Sequence, residues 1–458
     1  MPCWFNFPLC LNLTSSIWVP ACCSPTSSRR TSSSRTTSSC CFPRGSWSPT
    51  PSTRSSPSRS STSSSTQQLR HRLRRSHHQW RRRGYRRRRS CCRRHLHLLL
   101  TKEMKRCDYS DGEWVPDPRP PPYNGTACEA IKDGRSCMAN GRADTGYLHW
   151  RWQPRRCGLP DFSPEAFLRW LGDRHMAFVG DSLARNQAES LVCLLSAWSP
   201  PELVHRDPEG RFRRWVFREH NATVSIFWSP FLVKGVEKSE HTGVRYNELF
   251  LDAFDERWMS QLGAIDAAVL SAGQWFRIPS IYHEGGGVVG CYGCAAELNH
   301  TETSFFAVFR DVVGRTLAEI TRRHERGGGG DKPRLVALAT FSPSHFEGEW
   351  NKGAPCTKKR PYRKGEKELG YTETEMRKIV VEAADEAGAA AAPAGLRFAA
   401  LDVTTLANMR PDGHPGPYMR KNPFAAGEGR PVQNDCLHWC MPGPVDTFNQ
   451  ILQQTILR

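Results

Sequence analysis

The chain has 458 residues, 18 cysteines and a formal net charge of +19. The excess charge sits in one segment: residues 1–100 hold 19 arginines and no lysine, aspartate or glutamate, whereas residues 101–458 carry 45 basic and 45 acidic side chains. A neutral body of that length is not a cationic nucleic-acid binder, and it is long enough to bury one large core.

The basic segment has no apolar period. Runs such as Thr31–Ser39 and Ser52–Ser65 are Ser, Thr, Arg and Pro. Burial there cannot offset chain entropy, so residues 1–103 read as a disordered Ser/Arg-rich segment. Two other readings stay open. The near-continuous charge of Arg81–Arg89 suits an arm that grips RNA phosphates without sequence preference. The segment can also be an unnatural N-terminus standing in place of a genuine anchor. Trp4–Leu13 is apolar but has no basic residues before it and makes a poor signal peptide. No run of about 18 apolar residues occurs, so no membrane-spanning helix is expected.

Residues 104–160 read as a cysteine-rich lobe stapled by disulfides rather than a regular sheet, with Pro116–Pro122 and Trp150-Arg151-Trp152 inside it. From 161 to 458 the pattern changes. Ala166–Leu171 is a short helix and Met176–Val179 a buried strand ending at Gly180. Ala184, Ala188, Leu191, Val192 and Leu195 then recur at helical spacing. Strands are expected at Val224–Trp228, Ala267–Ser271, Leu335–Phe341 and Phe398–Val403. Helices are expected at Phe305–Arg323, closed by Gly327–Gly330, at Glu373–Ala387, and at Val445–Leu457 behind Pro444. Apolar strands alternating with helices predict an α/β fold with a parallel sheet covered on both faces.

Ten cysteines lie in the neutral part, accompanied there by three Asn-X-Ser/Thr acceptors at Asn124, Asn221 and Asn299. An even count with acceptor sites suggests an oxidising, secretory environment. Zinc is the alternative, through Cys291-x2-Cys294 with Cys436-x-His438-x-Cys440.

Two places carry chemistry. Gly180-Asp181-Ser182 sits where a strand turns into a helix. The unpaired N–H groups at that helix start favour negative charge, as an acyl-transfer oxyanion requires. The plain reading is a helix cap. Far along the chain, Asp435 stands three residues before His438. On one turn the carboxylate can hold the imidazole in the tautomer that takes a proton from a hydroxyl. The plain reading is a stapled loop with an incidental histidine. The two signals strengthen one another, because a Gly-Asp-Ser turn early and an Asp-x-x-His late is the order used by SGNH/GDSL-type esterases.

The chain from about residue 105 resembles the plant trichome-birefringence-like family of polysaccharide O-acetyltransferases. The matching blocks include Cys107-Asp108, Gly112–Asp117, Asn140–Arg142, Tyr147–Pro154, Phe178–Gln187, Thr340–Phe346, Arg410–Pro415 and Asp435–Gly443. The Asp-x-Gly-Tyr form before His149 and Ala184-Arg185-Asn186 look closest to the xyloglucan and glucomannan branches.

The resemblance implies an SGNH/GDSL-hydrolase-like sheet covered by helices, and a Golgi enzyme that acetylates a cell-wall hemicellulose, xyloglucan first and glucomannan second. It implies Ser182 as acyl carrier, with Asp435 and His438 completing a triad. Gly180, Asp181, Arg185, Asn186 and Gly273 become candidates for the oxyanion or acceptor site. Trp150, Trp152, Trp275 and Trp350 are candidates for stacking on sugars, and His345 and His414 are family-block residues without an assigned role. The partners implied are the polysaccharide acceptor and an acetyl donor such as acetyl-CoA, with no metal, no tightly held cofactor and no nucleic acid on the folded part. Disulfides are expected by analogy between Cys107 and Cys157, Cys128 and Cys193, and Cys356 and Cys440.

This sequence departs from the family pattern at three places. The usual short cytoplasmic tail and membrane anchor are not written in it. Gln274 replaces the usual His, and Ala339 stands where Arg is usual. Two other function classes remain: a wall-polysaccharide-binding protein without turnover, and an esterase.

Overall fold

Near-continuous apolar runs such as Met176–Val179 predict strands whose two faces are both covered. The computed structural model describes residues 107–457 except 239–242, 328–333, 350–351, 392–394 and 425–432. The Ser/Arg-rich segment and Trp350 lie outside the described residues.

In chain order, the elements are β1 (Gly112–Pro116) and β2 (Trp150–Pro154), then α1 (Pro164–Leu171), β3 (His175–Gly180) and α2 (Ser182–Ser196). A hairpin of β4 (Glu202–Arg206) and β5 (Phe212–Phe217) leads into β6 (Ala222–Trp228). Next come β7 (Val233–Val236), β8 (Asn247–Phe254), β9 (Ala267–Ser271), β10 (Ser280–Glu284) and β11 (Gly287–Tyr292). The chain closes with α3 (Phe305–Arg326), β12 (Arg334–Ala339), α4 (Tyr371–Ala391), β13 (Leu396–Leu401), the short α5 (Thr404–Asn408) and α6 (Pro444–Ile456).

The main sheet has the order β13-β12-β9-β3-β6-β5-β4. Its first five strands run parallel, and β5 and β4 add an antiparallel edge. Successive residues of β3 point to opposite faces. Met176 and Phe178 pack with α1, α2 and α6, whereas Ala177 and Val179 pack with α3 and α4. Every one of these residues is fully buried. A second sheet, β11-β10-β8-β7, flanks the first.

The sequence reading anticipated the parallel strands and their helices but none of β4, β5, β7, β8, β10 or β11. The reason is visible in β4, whose five residues are all exposed. Its Glu-Leu-Val-His-Arg sequence has no apolar run to detect, and its charges blunt a sheet edge. The cysteine-rich lobe also requires a correction. It contains a regular antiparallel pair, with Trp114 opposite Trp152 and their rings edge to face at 5.6 Å. Alternation in Gly-Glu-Trp-Val-Pro puts Trp114 inward and Glu113 outward.

Disulfides join Cys107 with Cys157 and Cys128 with Cys193. The expected pairing of Cys356 with Cys440 is overturned: Cys356 joins Cys436, and Cys440 joins Cys137. Cys440 is buried with Tyr147 and Cys137 of the lobe, while the sulfur of Cys436 faces the 354–356 stretch. Two cysteines four positions apart thus take different partners, which spacing alone does not reveal. Cys291 joins Cys294. The cysteines of the zinc alternative are therefore all engaged with sulfur.

Candidate active site

The C-terminal ends of β3 and β9 lie side by side, with Gly180 opposite Ser271. At Gly180 the chain turns with φ +148°, and a Cβ there would sit 1.8 Å from the Ser271 carbonyl oxygen. Only glycine fits. The next residue, Asp181, caps α2: its Oδ1 accepts the Leu183 N–H at 2.9 Å. Burial raises its carboxyl to about 6, against the backbone N–H groups that favour the charged form. Ser182 is therefore the first residue of a fifteen-residue helix, partly exposed, in the positive field of the helix start.

His438 meets it from the other end of the chain. Its Nε2 lies 2.7 Å from Ser182 Oγ, and its Nδ1 lies 2.7 Å from Asp435 Oδ2. The other carboxylate oxygen accepts the backbone N–H groups of Leu437 and His438 at 3.0 and 2.9 Å. Burial alone would raise the Asp435 carboxyl. The neighbouring His438 charge and these hydrogen bonds hold it well below the usual carboxylate range. The arrangement is able to take a proton from Ser182, store it on an imidazole steadied by a carboxylate, and return it.

The loop carrying His438 is fixed on several sides. Asn186, one turn beyond Ser182, accepts the Trp439 N–H at 2.7 Å and donates to its carbonyl at 3.2 Å. Asp435 and Gly416 exchange backbone hydrogen bonds at 2.8 and 2.9 Å. From the lobe, Arg135 donates to the Ser182 carbonyl at 3.1 Å, and its own carbonyl accepts the Met441 N–H at 3.1 Å. Arg135 and Arg213 both bind Glu189, which is fully buried on α2. The lobe thus clamps the nucleophile turn and the histidine loop together. The sequence reading missed Arg135 and Glu189, because neither stands in a motif and their contact spans 54 positions.

The remaining candidates separate. Asn186 is fully buried, and its carboxamide pairs with the backbone of Trp439. Arg185 is 7% exposed and its Nε has no partner; its guanidinium lies 5.0 Å from the Trp228 ring. Burial and the nearby Arg135, Arg213 and Arg211 lower it to about 10, against Glu189. A buried guanidinium so placed is suited to an incoming anion or oxyanion. Gly273 has φ +149°, and a Cβ there would press on Met376 and Phe341. It lies two residues past Ser271, beside the Ser182 turn.

Gln274 donates to the Ser342 carbonyl at 2.8 Å, and Ala339 is buried at the end of β12. Trp152 is core, and Trp275 packs edge-on against Trp228 and Phe231. Trp150 lines a cavity of about 440 Å³ together with Trp114, Tyr147 and Phe162; no triad residue lines it. Asn124, Asn221 and Asn299 are all exposed. No helix among the described residues is long and apolar enough to cross a membrane, and no group of three metal-ligating side chains occurs among them.

Residues 159–455 match the GDSL/SGNH-like acyl-esterase family found in Pmr5 and Cas1p, and residues 105–158 match the PMR5 N-terminal domain. Among similar proteins, Xyloglucan O-acetyltransferase 2 of Populus trichocarpa is 51% identical over 359 residues, covering 78% of this chain and 83% of that one. Xyloglucan O-acetyltransferase 1 of Arabidopsis thaliana is 48% identical, covering 77% and 80%. Protein trichome birefringence-like 26 of Arabidopsis thaliana is 40% identical, covering 77% of each.

Proposed function

We propose a xyloglucan O-acetyltransferase: the chain belongs to the GDSL/SGNH-like acyl-esterase family found in Pmr5 and Cas1p, and from that premise the site reads as a double-displacement acetyl carrier. The observation that carries the chemistry is the unbroken line Ser182 Oγ, His438, Asp435, with 2.7 Å at each step. The substrate reading is supported by the names of relatives about half identical to this chain.

In this reading Ser182 Oγ attacks the acetyl carbonyl of the donor, with acetyl-CoA as the proposed one. Its proton passes to His438 Nε2. The tetrahedral oxyanion forms at the start of α2, where Ser182 N–H, Gly273 N–H and the Arg185 guanidinium are the proposed donors. The carbon–sulfur bond breaks, and the thiolate leaves with the proton from His438. A sugar hydroxyl then gives its proton to His438 and attacks the acetyl-serine carbonyl. Ser182 Oγ leaves and recovers that proton, so the enzyme returns unchanged and the sugar carries the acetyl group.

The lobe of residues 104–160 serves, in this proposal, as a part of the catalytic region of 161–458 rather than as a separate module. The oxidised cysteines and exposed acceptor asparagines support a secretory compartment, the Golgi being the proposed one.

The test incubates the full chain from a eukaryotic host, beside Ser182→Ala, with acetyl-CoA and xyloglucan, glucomannan or xylan oligosaccharides. Serine-dependent addition of acetyl mass to xyloglucan is expected. Addition to glucomannan instead would move the acceptor, and release of free acetate without acceptor acetylation would mark an esterase.

A further inference from the structure

His345 and His414 come from two loops 69 positions apart and meet through their ring nitrogens, His345 Nδ1 to His414 Nε2, at 2.7 Å. Both are buried. Each also spends its other ring nitrogen on a backbone carbonyl. His345 Nε2 lies 2.8 Å from the Asn408 oxygen, and His414 Nδ1 lies 2.7 Å from the His438 oxygen.

A carbonyl only accepts, so His345 Nε2 and His414 Nδ1 must each carry a hydrogen. A neutral imidazole has one N–H, and each ring has now used it. The two facing nitrogens would then present lone pairs to each other at hydrogen-bond distance, which is repulsive. One more proton between them turns the contact into an N–H···N hydrogen bond and gives the pair a single positive charge.

We infer that His345 and His414 share one proton and act together as positioning residues for His438. Neither touches the reacting atoms. His414 reaches the His438 carbonyl directly, and its ring stacks on Trp439 with centroids 4.3 Å apart and planes 20° from parallel. His345 donates its backbone N–H to the Cys436 carbonyl at 2.9 Å. The pair therefore holds the backbone on both sides of Leu437–His438. With the added proton, the hydrogen bond to His438 becomes charge-assisted and the stacking on Trp439 gains a cation–π component. This inference rests on the proposed role of His438 as base.

The charges around the pair are mixed. Asp412, Glu373 and Asp435 favour its proton; Lys367 and the His438 ring oppose it. Arg142, which binds the His414 carbonyl at 2.8 Å, also opposes it. Asp412 is itself paired with Arg410. Burial pushes both imidazoles downward, so the shared proton is the labile part of the arrangement. It leaves as pH rises, and one ring must then release its carbonyl.

The experiment uses the full chain labelled with 15N-histidine. Wild type is expected to show one strongly deshielded proton, downfield of ordinary imidazole N–H signals and coupled to nitrogens of two rings. It should persist in Ser182→Ala and vanish in His345→Asn. The asparagine amide takes the place of Nδ1–H and donates to His414 Nε2 without titrating. Acetyl transfer by wild type should therefore fall through one ionisation on the alkaline side. His345→Asn should keep most of kcat near neutrality and lose that alkaline step, whereas His345→Leu should lose about tenfold or more in kcat at every pH. Two neutral rings with no bridging proton at the pH of activity would overturn the inference, as would an alkaline limb unchanged in His345→Asn. If wild type transfers no acetyl at all, the proposed role of His438 falls, and the spectrum alone still decides the shared proton.

Discussion

Asn186 and Trp439 are 253 positions apart, yet one carboxamide takes both backbone groups of Trp439, accepting its N–H at 2.7 Å and donating to its carbonyl at 3.2 Å. Asn186 lies one turn beyond Ser182, and Trp439 directly follows His438. The distance between nucleophile and base is thus set by a side chain that touches neither. Removing it in Asn186→Ala leaves two buried backbone groups unpaired, at about 1–3 kcal/mol each. It also lets the histidine loop shift. A displacement of about 1 Å costs on the order of 10²-fold in rate. We expect kcat to fall by roughly that factor with KM little changed, read by steady-state kinetics beside a thermal melt. Unchanged kcat in a folded variant would refute this role.

Arg185 offers a second kinetic test. Its buried guanidinium, three residues along α2 from Ser182, has an unpartnered Nε and is a proposed oxyanion donor. Losing one oxyanion donor typically costs about 10²–10³-fold in kcat. Arg185→Ala should approach that loss and Arg185→Gln should recover part of it. If both variants raise KM for the donor and leave kcat intact, Arg185 binds the donor rather than the developing charge.

Asp446 allows a pH test away from the triad. It accepts hydrogen bonds from Ser190, Tyr123 and the Gly443 N–H at 2.6, 2.9 and 2.8 Å. Burial nonetheless raises its carboxyl from 3.8 to about 6. The folded state then binds the proton more tightly than the unfolded state. Stability from this group is full below about pH 4 and is lost as pH rises through 6, by up to about 3 kcal/mol. Urea melts between about pH 4 and 7 should show a smaller decline in Asp446→Asn than in wild type. Asp181, raised in the same direction, keeps part of the slope in the variant.

Peptide mapping without reduction tests the disulfide framework. The expected linked peptides join Cys137 with Cys440 and Cys356 with Cys436. The first bridge spans 303 positions and fixes the lobe to the histidine loop. Cys137→Ser with Cys440→Ser should cost about 2–4 kcal/mol and lower kcat more than it lowers the fraction folded. Finding Cys356 linked to Cys440 instead would overturn the assignment.

The local features of this protein were legible in its sequence because each is settled within one segment. Met176–Val179 reads as a strand because two buried faces leave no polar residue between them. Gly180-Asp181-Ser182 reads as a turn into a helix because only glycine tolerates that approach to a neighbouring strand, and Asp caps the helix that follows. Asp435 and His438 are three residues apart, close enough for their contact to be written in the spacing. What the tertiary structure alone decided is which distant surfaces meet. Cys436 and Cys440 lie four positions apart and take different partners. His345 and His414 form their pair only because two loops converge under Trp439. Asn186, which spacing places beside the nucleophile as a substrate contact, is turned instead toward the backbone of the opposite loop. The edge strand β4 pairs with β5 although all five of its residues are exposed. Segment chemistry dictates the form of an element, but the choice among long-range partners depends on how those elements pack.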